Sequence, residues 1–195
     1  ATRIMFRVAA KRAAEAPGSR VTGEWSRRSI TSGSCLATEG LEVQAARPWD
    51  QVGSNAAVDH VEAAASLFAA DRKVALFAVP APFTGTCTNE HVPGFVANAD
   101  AILAKCDELI CFSVSCPYAN DGWAKAMGVD QSKIKFVSDV DGSVSKAWDV
   151  TKDYSGDSLG IRSERFSMVV DGGVVTSFQV VDDAAKDGEW VLSQL

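Results

Sequence analysis

The chain lacks several features that would place it in common classes of protein. None of its apolar runs comes near the roughly 20 residues that a bilayer-spanning helix needs, so we expect no membrane span. It contains no GxGxxG or P-loop motif, so no nucleotide site is predicted. Lys and Arg number 19 against 25 Asp and Glu, and this net charge of -6 disfavours a nucleic-acid partner. An α/β domain of ordinary composition fits what remains.

The five cysteines lack the spacing of a metal or dithiol site. No Cys-x-x-Cys occurs, and Cys106, Cys111 and Cys116 are five residues apart, with only His60 and His91 to supplement them. We therefore expect no metal and no organic cofactor. An odd number of cysteines in a chain of this length indicates a reducing compartment and at least one free or reactive thiol.

The start of the chain differs from the rest in charge. Residues 1–40 hold seven basic and three acidic side chains, whereas the remaining residues hold 12 and 22. Arg3, Arg7 and Lys11 recur every four residues, which predicts a short helix with a basic face. Such an Arg-rich, Ser-rich start is typical of an organelle transit peptide, and the alternative is an arm that docks on a partner.

Charge and hydropathy together divide the chain into a basic extension, residues 1–45, and one folded domain, residues 46–195. The amphipathic basic start favours the mitochondrion, with the plastid second. The tripeptide Ser193-Gln194-Leu195 is a weak match to the S-K-L address of peroxisomes.

The domain alternates between strand-like and helix-like segments. Near-continuous apolar runs predict buried strands, and two of them flank the turn Asp171-Gly172-Gly173 as a β-hairpin. The predicted strands are residues 74–79, 109–114, 135–138, 166–170 and 174–180, and the predicted helices are residues 58–70, 89–105, 121–127 and 144–150. This order predicts an α/β fold with a central mixed β-sheet and helices on both faces.

The loop after the first of these strands leads to Cys87. The strand ends at Pro80, and Cys87 falls just before or within the first turn of the next helix. The free amides and positive dipole at a helix start favour a thiolate over a thiol. Thr84, three residues earlier, carries a hydroxyl that can turn toward the sulfur or toward a bound oxygen substrate. Open α/β folds usually bind ligands at this edge of the sheet.

Two motifs in the correct order resemble those of the peroxiredoxins. The run P-x-x-x-T-x-x-C, formed by Pro80, Thr84 and Cys87 and followed by Glu-His-Val-Pro-Gly-Phe, resembles their active-site segment. The run at residues 160–170, Gly-Ile-Arg-Ser-Glu-Arg-Phe-Ser-Met-Val-Val, resembles the strand that carries their active-site arginine. The likeness is closest to the atypical type II, or peroxiredoxin-5-like, branch and extends over residues 56–182. It implies a thioredoxin-like fold.

The resemblance implies a role for each matched residue. Cys87 would be the peroxidatic nucleophile, which a peroxide oxidises to a sulfenic acid. Arg165 would be a fixed cation that holds the thiolate and stabilises the departing oxygen. Thr84 would orient the peroxide, and Pro80 would wall off the pocket. Arg162 also fits near the site, but Arg165 matches the motif position better.

The resemblance leaves the fate of the sulfenic acid open. Cys111 occupies the position of the second cysteine in plant-like members, which implies a resolving role, and Cys116 is a weaker candidate. The alternative is a one-cysteine mechanism that uses an external thiol. Because Cys111 lies in a predicted buried strand, reaching Cys87 would require local unfolding. We expect His91 to be structural.

The implied activity is a thiol-dependent peroxidase acting on hydrogen peroxide and small alkyl hydroperoxides without a cofactor. Thioredoxin, glutaredoxin or glutathione would supply the reducing equivalents, and the resemblance suggests a homodimer. The rival hypothesis is a structural subunit of an organelle assembly that docks through its N-terminal arm.

Overall fold

The computed structural model describes residues 30–48 and 61–195. A π-helical turn, Cys87–His91, leads into the second α-helix, and a short 3₁₀ turn covers Ser155–Asp157. The strands of the described residues are β1 Glu42–Ala45, β2 Val61–Ala63, β3 Lys73–Ala78, β4 Glu108–Ser113, β5 Ile134–Ser138, β6 Thr151–Asp153, β7 Ile161–Ser163, β8 Phe166–Asp171 and β9 Val174–Val180. The helices are α1 Ala64–Leu67, α2 Val92–Leu103, α3 Pro117–Met127, α4 Ser143–Ala147 and α5 Asp187–Gln194.

Seven of these strands form one mixed sheet in the order β2-β1-β5-β4-β3-β8-β9. The central strands β5, β4 and β3 are parallel, and the strands on either side of them are antiparallel. β6 and β7 form a separate antiparallel pair. The predicted α/β fold with a mixed sheet is therefore confirmed.

Helices cover both faces of the sheet because its central strands are apolar on both sides. In β3, Val74 and Leu76 belong to one buried cluster, whereas Ala75 and Phe77 belong to the other. Residues of α1 and α4 pack into the first cluster, and residues of α2, α3 and α5 pack into the second. The second cluster also contains Cys87, so the sulfur lies on the face of the sheet that three helices cover.

The five predicted strands are confirmed, each within one or two residues of its predicted limits. The β8–β9 hairpin closes through Gly172 and Gly173, whose φ angles are +58° and +78°. A two-residue type I′ turn needs positive φ at both central positions, and glycine adopts this conformation without steric cost.

The predicted helix limits are less accurate. In the predicted helix 58–70, residues 61–63 form strand β2 and only Ala64–Leu67 are helical, while residues 58–60 lie outside the described part. α3 starts four residues earlier than predicted, at Pro117, because proline is well suited to the first helical position. α4 ends at Ala147, three residues earlier than predicted.

Some residues before the predicted boundary at residue 45 also contribute to the core. Ile30, Leu36 and Val43 are buried in the core cluster of α1 and α4, and Cys35 pairs with Val174 at the start of β9. These isolated apolar residues stand in a polar segment without periodicity, which is why composition placed them in the extension. Residues 1–29, including the predicted basic helix, lie outside the described part.

None of the helices within residues 30–48 and 61–195 combines the length and the apolar character that a membrane crossing requires.

Helices α2 and α5 cross at a pair of glycines. A Cβ atom on Gly188 would lie 2.5 Å from the carbonyl oxygen of Gly94, and one on Gly94 would lie 2.9 Å from the carbonyl oxygen of Ala185. Real Cβ atoms essentially never approach a backbone oxygen so closely, so the crossing depends on the absence of side chains.

We expect Gly188→Ala to destabilise the fold by about 1–3 kcal/mol, because the added methyl group forces two backbones apart. Urea unfolding, monitored by circular dichroism, measures the change in the free energy of unfolding. Gly156→Ala is the matched control, since its methyl group would meet no atom within 4 Å. Equal unfolding midpoints for the two variants would contradict the close crossing.

Candidate active site

Cys87 lies in the first turn of the helical run that follows β3. The run begins at Gly85, after the loop that contains Pro80, and passes through the π-helical turn into α2. The backbone amides of a first helical turn have no hydrogen-bond acceptors within the helix, so they remain free donors at the N-terminal end of this run. Cys87 is only 1% exposed. Its sulfur is therefore buried at the positive end of a helix.

Arg165 reaches this sulfur from the neighbouring strand. β3 and β8 are antiparallel with Ala78 opposite Phe166, and continuing this register places Arg165 opposite Val79. Nη2 of Arg165 donates to Sγ of Cys87 at 3.4 Å. Strand pairing thus brings together two residues that are 78 positions apart in the sequence.

A second contact ties Arg165 to His91, one π turn beyond Cys87. Nη1 of Arg165 lies 2.9 Å from Nδ1 of His91, and Nε2 of His91 lies 2.7 Å from Oδ2 of Asp187. The side chains of His91 and Asp187 are both fully buried. Burial lowers the pKa of His91 below its usual value, and Arg165 adds to this shift while Asp187 opposes it. The imidazole is consequently neutral at pH 7.

The two other predicted site residues lie at the same edge of the sheet. Pro80 is buried directly after Val79, and Thr84 is half-buried at the start of the helical run. The hydroxyl of Thr84 donates to the carbonyl of Ala81 at 2.9 Å, and its carbonyl accepts from the amide of Thr88. The Thr84 hydroxyl is thus turned toward the loop.

Cys111 lies on β4, in the same buried cluster as Cys87. Burial raises the pKa of the Cys111 thiol well above its usual value, and the charge interaction with Cys87 raises it further. Cys116 is exposed instead and caps α3, where its sulfur accepts from the amide of Ala119 at 3.3 Å. All five cysteines are free thiols.

Three residues near the site have roles that the sequence did not predict. Burial raises the pKa of Tyr154 above its usual value, and the charge of Arg165 opposes this shift while Glu164 and Cys87 add to it. Thr88 accepts a hydrogen bond from the indole of Trp123 at 3.0 Å, which ties the π-helical turn to α3. Arg162, the weaker arginine candidate, instead donates to backbone carbonyls, including that of Leu159 at 2.7 Å.

His91 and Asp187 were also not predicted as parts of the site. His91 follows Cys87 by four residues, and this spacing places both on one side of a helix. The spacing was the available sequence signal that His91 lies near Cys87. Asp187 is 96 residues from His91, and no motif or periodicity connects them.

Within the described ranges, no group of three or more His, Cys, Asp or Glu side chains is arranged to hold a metal ion. The chemistry open to the site is that of a sulfur beside a fixed cation, which can be oxidised and reduced reversibly. Thiol-based redox proteins are the class that uses such a site on an α/β sheet of this kind.

Comparison with known proteins defines the family within that class. The family model described as Redoxin matches residues 44–192. The mitochondrial peroxiredoxin-2F of Oryza sativa subsp. japonica is 37% identical over 175 residues, covering 86% of each chain. The mitochondrial peroxiredoxin-2F of Arabidopsis thaliana is 37% identical over 153 residues, covering 77% of this chain and 73% of the relative.

A solved structure agrees with these sequence relatives. The crystal structure of reduced Prx3 in complex with H2O2 from Vibrio vulnificus has a TM-score of 0.65 and 30% identity, covering 78% of this chain and 88% of that chain. The chain belongs to the peroxiredoxin family and has its thioredoxin-like fold. It is a thiol-dependent peroxidase, with a peroxide as substrate and a thiol as reductant. The alternative of a structural subunit is not favoured.

The neutral state of His91 predicts that acid destabilises the fold. Because its pKa is lower in the folded state, the unfolded state binds more protons between that value and about 6.5. The free energy of unfolding should therefore fall as pH decreases below about 6.5, by at most about 1.4 kcal/mol per pH unit. Urea unfolding at about pH 7.5 and at about pH 5.5 measures the difference.

The other ionisable groups that contact His91 directly or through one residue are Asp187, Arg165 and Cys87. His91→Phe should reduce the pH dependence, whereas His60→Gln should preserve it, since the chain has only two histidines. A His91→Phe variant with the full wild-type pH dependence would assign the effect to another group.

Proposed function

We propose that Cys87 is the peroxidatic cysteine and that Arg165 holds its thiolate in the reactive position. The thiolate attacks one oxygen of the peroxide, so that an S–O bond forms as the O–O bond breaks. Cys87 becomes a sulfenic acid, and the departing oxygen takes up a proton to leave as water or an alcohol. The observation that carries this proposal is the 3.4 Å contact between Nη2 of Arg165 and Sγ of Cys87.

Arg165 has a second task in this proposal, since negative charge develops on the departing oxygen. A guanidinium keeps its charge throughout the physiological pH range and presents several N–H groups in one plane. It can therefore donate to the sulfur and to a peroxide oxygen together. A fixed cation in a site with little water stabilises such charge without reorganisation during the reaction.

Thr84 and Pro80 complete the proposed pocket. Because the hydrogen of the Thr84 hydroxyl is directed at Ala81, its oxygen is left to accept a hydrogen bond from the peroxide O–H. Buried Pro80 forms an apolar wall without an N–H group. Hydrogen peroxide and small alkyl hydroperoxides are the proposed substrates.

We propose Cys111 as the resolving cysteine. Its thiol attacks the sulfenic sulfur of Cys87, a disulfide forms, and water leaves. Support comes from the position of both cysteines in one buried cluster. Cys116 caps a helix at an exposed position and has no comparable link to Cys87. A disulfide needs Cα atoms about 4.4–6.8 Å apart. Because Cys111 lies in the buried strand β4, we propose that the π-helical turn of Cys87 unwinds locally as the bond forms.

Thioredoxin, glutaredoxin or glutathione is the proposed reductant, and we propose that the protein is a homodimer. Phe83 is 61% exposed on the loop before Cys87, and Ile161 is 60% exposed on β7. β7 is tied to the end of β3 by a hydrogen bond from Ser163 to the carbonyl of Val79. Exposed apolar side chains on both segments give a second copy of the chain a surface to bury.

An organellar location is supported by the relatives, and we propose the mitochondrion. Both peroxiredoxin-2F relatives are named mitochondrial, and other relatives at 34% identity are named chloroplastic, which keeps the plastid second. The peroxisome is not proposed, because the organellar names among these relatives are mitochondrial and chloroplastic. Ser193 and Gln194 moreover belong to α5, and Gln194 accepts a hydrogen bond from Ser177.

One equivalent of hydrogen peroxide, added to the reduced protein, is expected to link Cys87 to Cys111. Peptide mapping by mass spectrometry without reduction identifies the bridge. In the Cys111→Ser variant the sulfenic acid should persist and be trapped by dimedone, whereas the matched control Cys116→Ser should form the bridge normally. A sulfenic acid that persists in the wild-type protein until glutathione is added would select the one-cysteine mechanism.

Arg165→Ala is expected to slow the reaction of Cys87 with hydrogen peroxide by about 10²- to 10³-fold, by analogy with the loss of one group that stabilises a transition state. Stopped-flow measurement of the second-order rate constant tests this. The control is Arg72→Ala, which removes a partly exposed arginine paired with Glu108. An unchanged rate constant in Arg165→Ala would remove this arginine from the proposed mechanism.

A further inference from the structure

Behind the proposed reactive pair lies a buried carboxylate that the proposed mechanism does not use. Asp187, the first residue of α5, is 1% exposed. It contacts His91, which contacts Arg165, which contacts Cys87, with distances of 2.7, 2.9 and 3.4 Å in turn. The four side chains form a continuous chain of polar contacts from the C-terminal helix to the sulfur.

We propose that Asp187 and His91 are positioning residues that orient the guanidinium of Arg165 toward Cys87. This inference rests on the proposed roles of Arg165 and Cys87. The polar contacts of Asp187 and His91 lead to the sulfur through the guanidinium, so both are proposed to act through the arginine.

The chemistry of the contacts fixes the protonation state of the imidazole. A carboxylate accepts hydrogen bonds only, so Nε2 of His91 carries the hydrogen that Asp187 accepts. In a neutral imidazole the other nitrogen is then an acceptor, and Nδ1 can receive the N–H of Arg165. The wrong tautomer would present one N–H group to another. Asp187 therefore determines whether His91 attracts or repels the guanidinium.

The imidazole itself has little freedom to rotate. Its ring makes edge contacts with Phe77 and Phe95, at centroid distances of 5.2 and 5.5 Å. Phe77 and Phe95 also stack on each other at 3.8 Å. The rings hold the plane of His91, and Asp187 selects the nitrogen that carries the hydrogen.

Asp187 is in turn fixed by its neighbours. Oδ1 accepts from Nε2 of Gln179 at 2.7 Å, and Oδ2 accepts from the hydroxyl of Ser167. The next residue, Gly188, lies at the close crossing with Gly94 on α2, three residues after His91. Both strands of the hairpin and the glycine crossing hold the carboxylate in place.

Packing alone does not require this arrangement. A buried carboxylate beside a neutral imidazole carries a large desolvation cost, which apolar residues of similar size would avoid. The contacts lead to Arg165, whose long side chain is only partly buried and would otherwise have rotational freedom. A misplacement of about 1 Å in a catalytic group can cost about 100-fold in rate.

The test is Asp187→Asn, which keeps the size of the side chain but adds an amide that can donate to Nε2 of His91. We expect the rate constant of Cys87 with hydrogen peroxide to fall about 10- to 100-fold. The midpoint of the pH dependence of Cys87 alkylation by iodoacetamide should move to higher pH. The double variant Arg165→Ala/Asp187→Asn should react no more slowly than Arg165→Ala, because the carboxylate acts only through the arginine.

Two further variants separate positioning from stability. Asp139→Asn is the matched control, since Asp139 is also fully buried and accepts hydrogen bonds from Val144 and Ser145 at the start of α4. It should lower the urea midpoint without changing the peroxide rate constant or the alkylation midpoint. The double variant His91→Phe/Asp187→Leu removes the polar pair without leaving a buried charge. If Asp187→Asn does not fold, this double variant should still show the loss of the peroxide rate constant.

The results distinguish this inference from the proposed function. A normal rate in Arg165→Ala would overturn the role of the arginine itself. If Arg165→Ala is slow but the folded Asp187 variants react at the wild-type rate, Asp187 is structural and the inference is wrong. The inference would also be wrong if Asp187→Asn lowered the rate constant by the same factor in the wild-type protein and in Arg165→Ala. The effect of the carboxylate would then not depend on the arginine.

Discussion

A negative charge on the sulfur of Cys87 needs a cation beside it, because this side chain is 1% exposed and water cannot solvate it well. Arg165 supplies that cation at 3.4 Å. The helix start adds a favourable dipole, but such a dipole is worth only about 0.3–1 kcal/mol at exposed sites and up to about 2 kcal/mol when partly buried. A hydrogen bond to a charged group is typically worth about 1.5–3 kcal/mol. The proposed reactivity therefore depends on the arginine more than on the helix.

The fold brings this pair together through the register of β3 and β8. One strand leads to the loop and helix of Cys87, and the other begins directly after Arg165. A shift of one residue in an antiparallel pair would turn the side chains to the opposite face of the sheet. The hairpin turn at Gly172 and Gly173 fixes β9 against β8, and the buried apolar face fixes β8 against β3. The site thus depends on the order of the whole sheet.

Sequence reasoning predicted the parts of this arrangement that depend on local patterns. The apolar runs of the strands, the Gly-Gly turn and the helix start at Cys87 each leave a signal within about ten residues. Strands β1, β2, β6 and β7 were not predicted, since they have three or four residues and partly polar sequences. Asp187 was not predicted because its contact with His91 forms only when α2 and α5 pack against each other. The two residues are 96 positions apart, so no periodic sequence pattern connects them.

The contacts that hold Cys87 in place must also break if Cys111 is to reach it. The π-helical turn is held by the Cys87–Arg165 contact and by the hydrogen bond between Thr88 and Trp123. In the proposed mechanism oxidation removes the thiolate charge, so the contact of Arg165 with a charged sulfur becomes a contact with a neutral sulfenic acid. The guanidinium stays charged, so the contact loses the attraction between opposite charges but keeps a hydrogen bond from a cation. In the proposed mechanism the chemical step therefore weakens the restraint on Cys87, and the turn would unwind more readily after Cys87 has reacted than before.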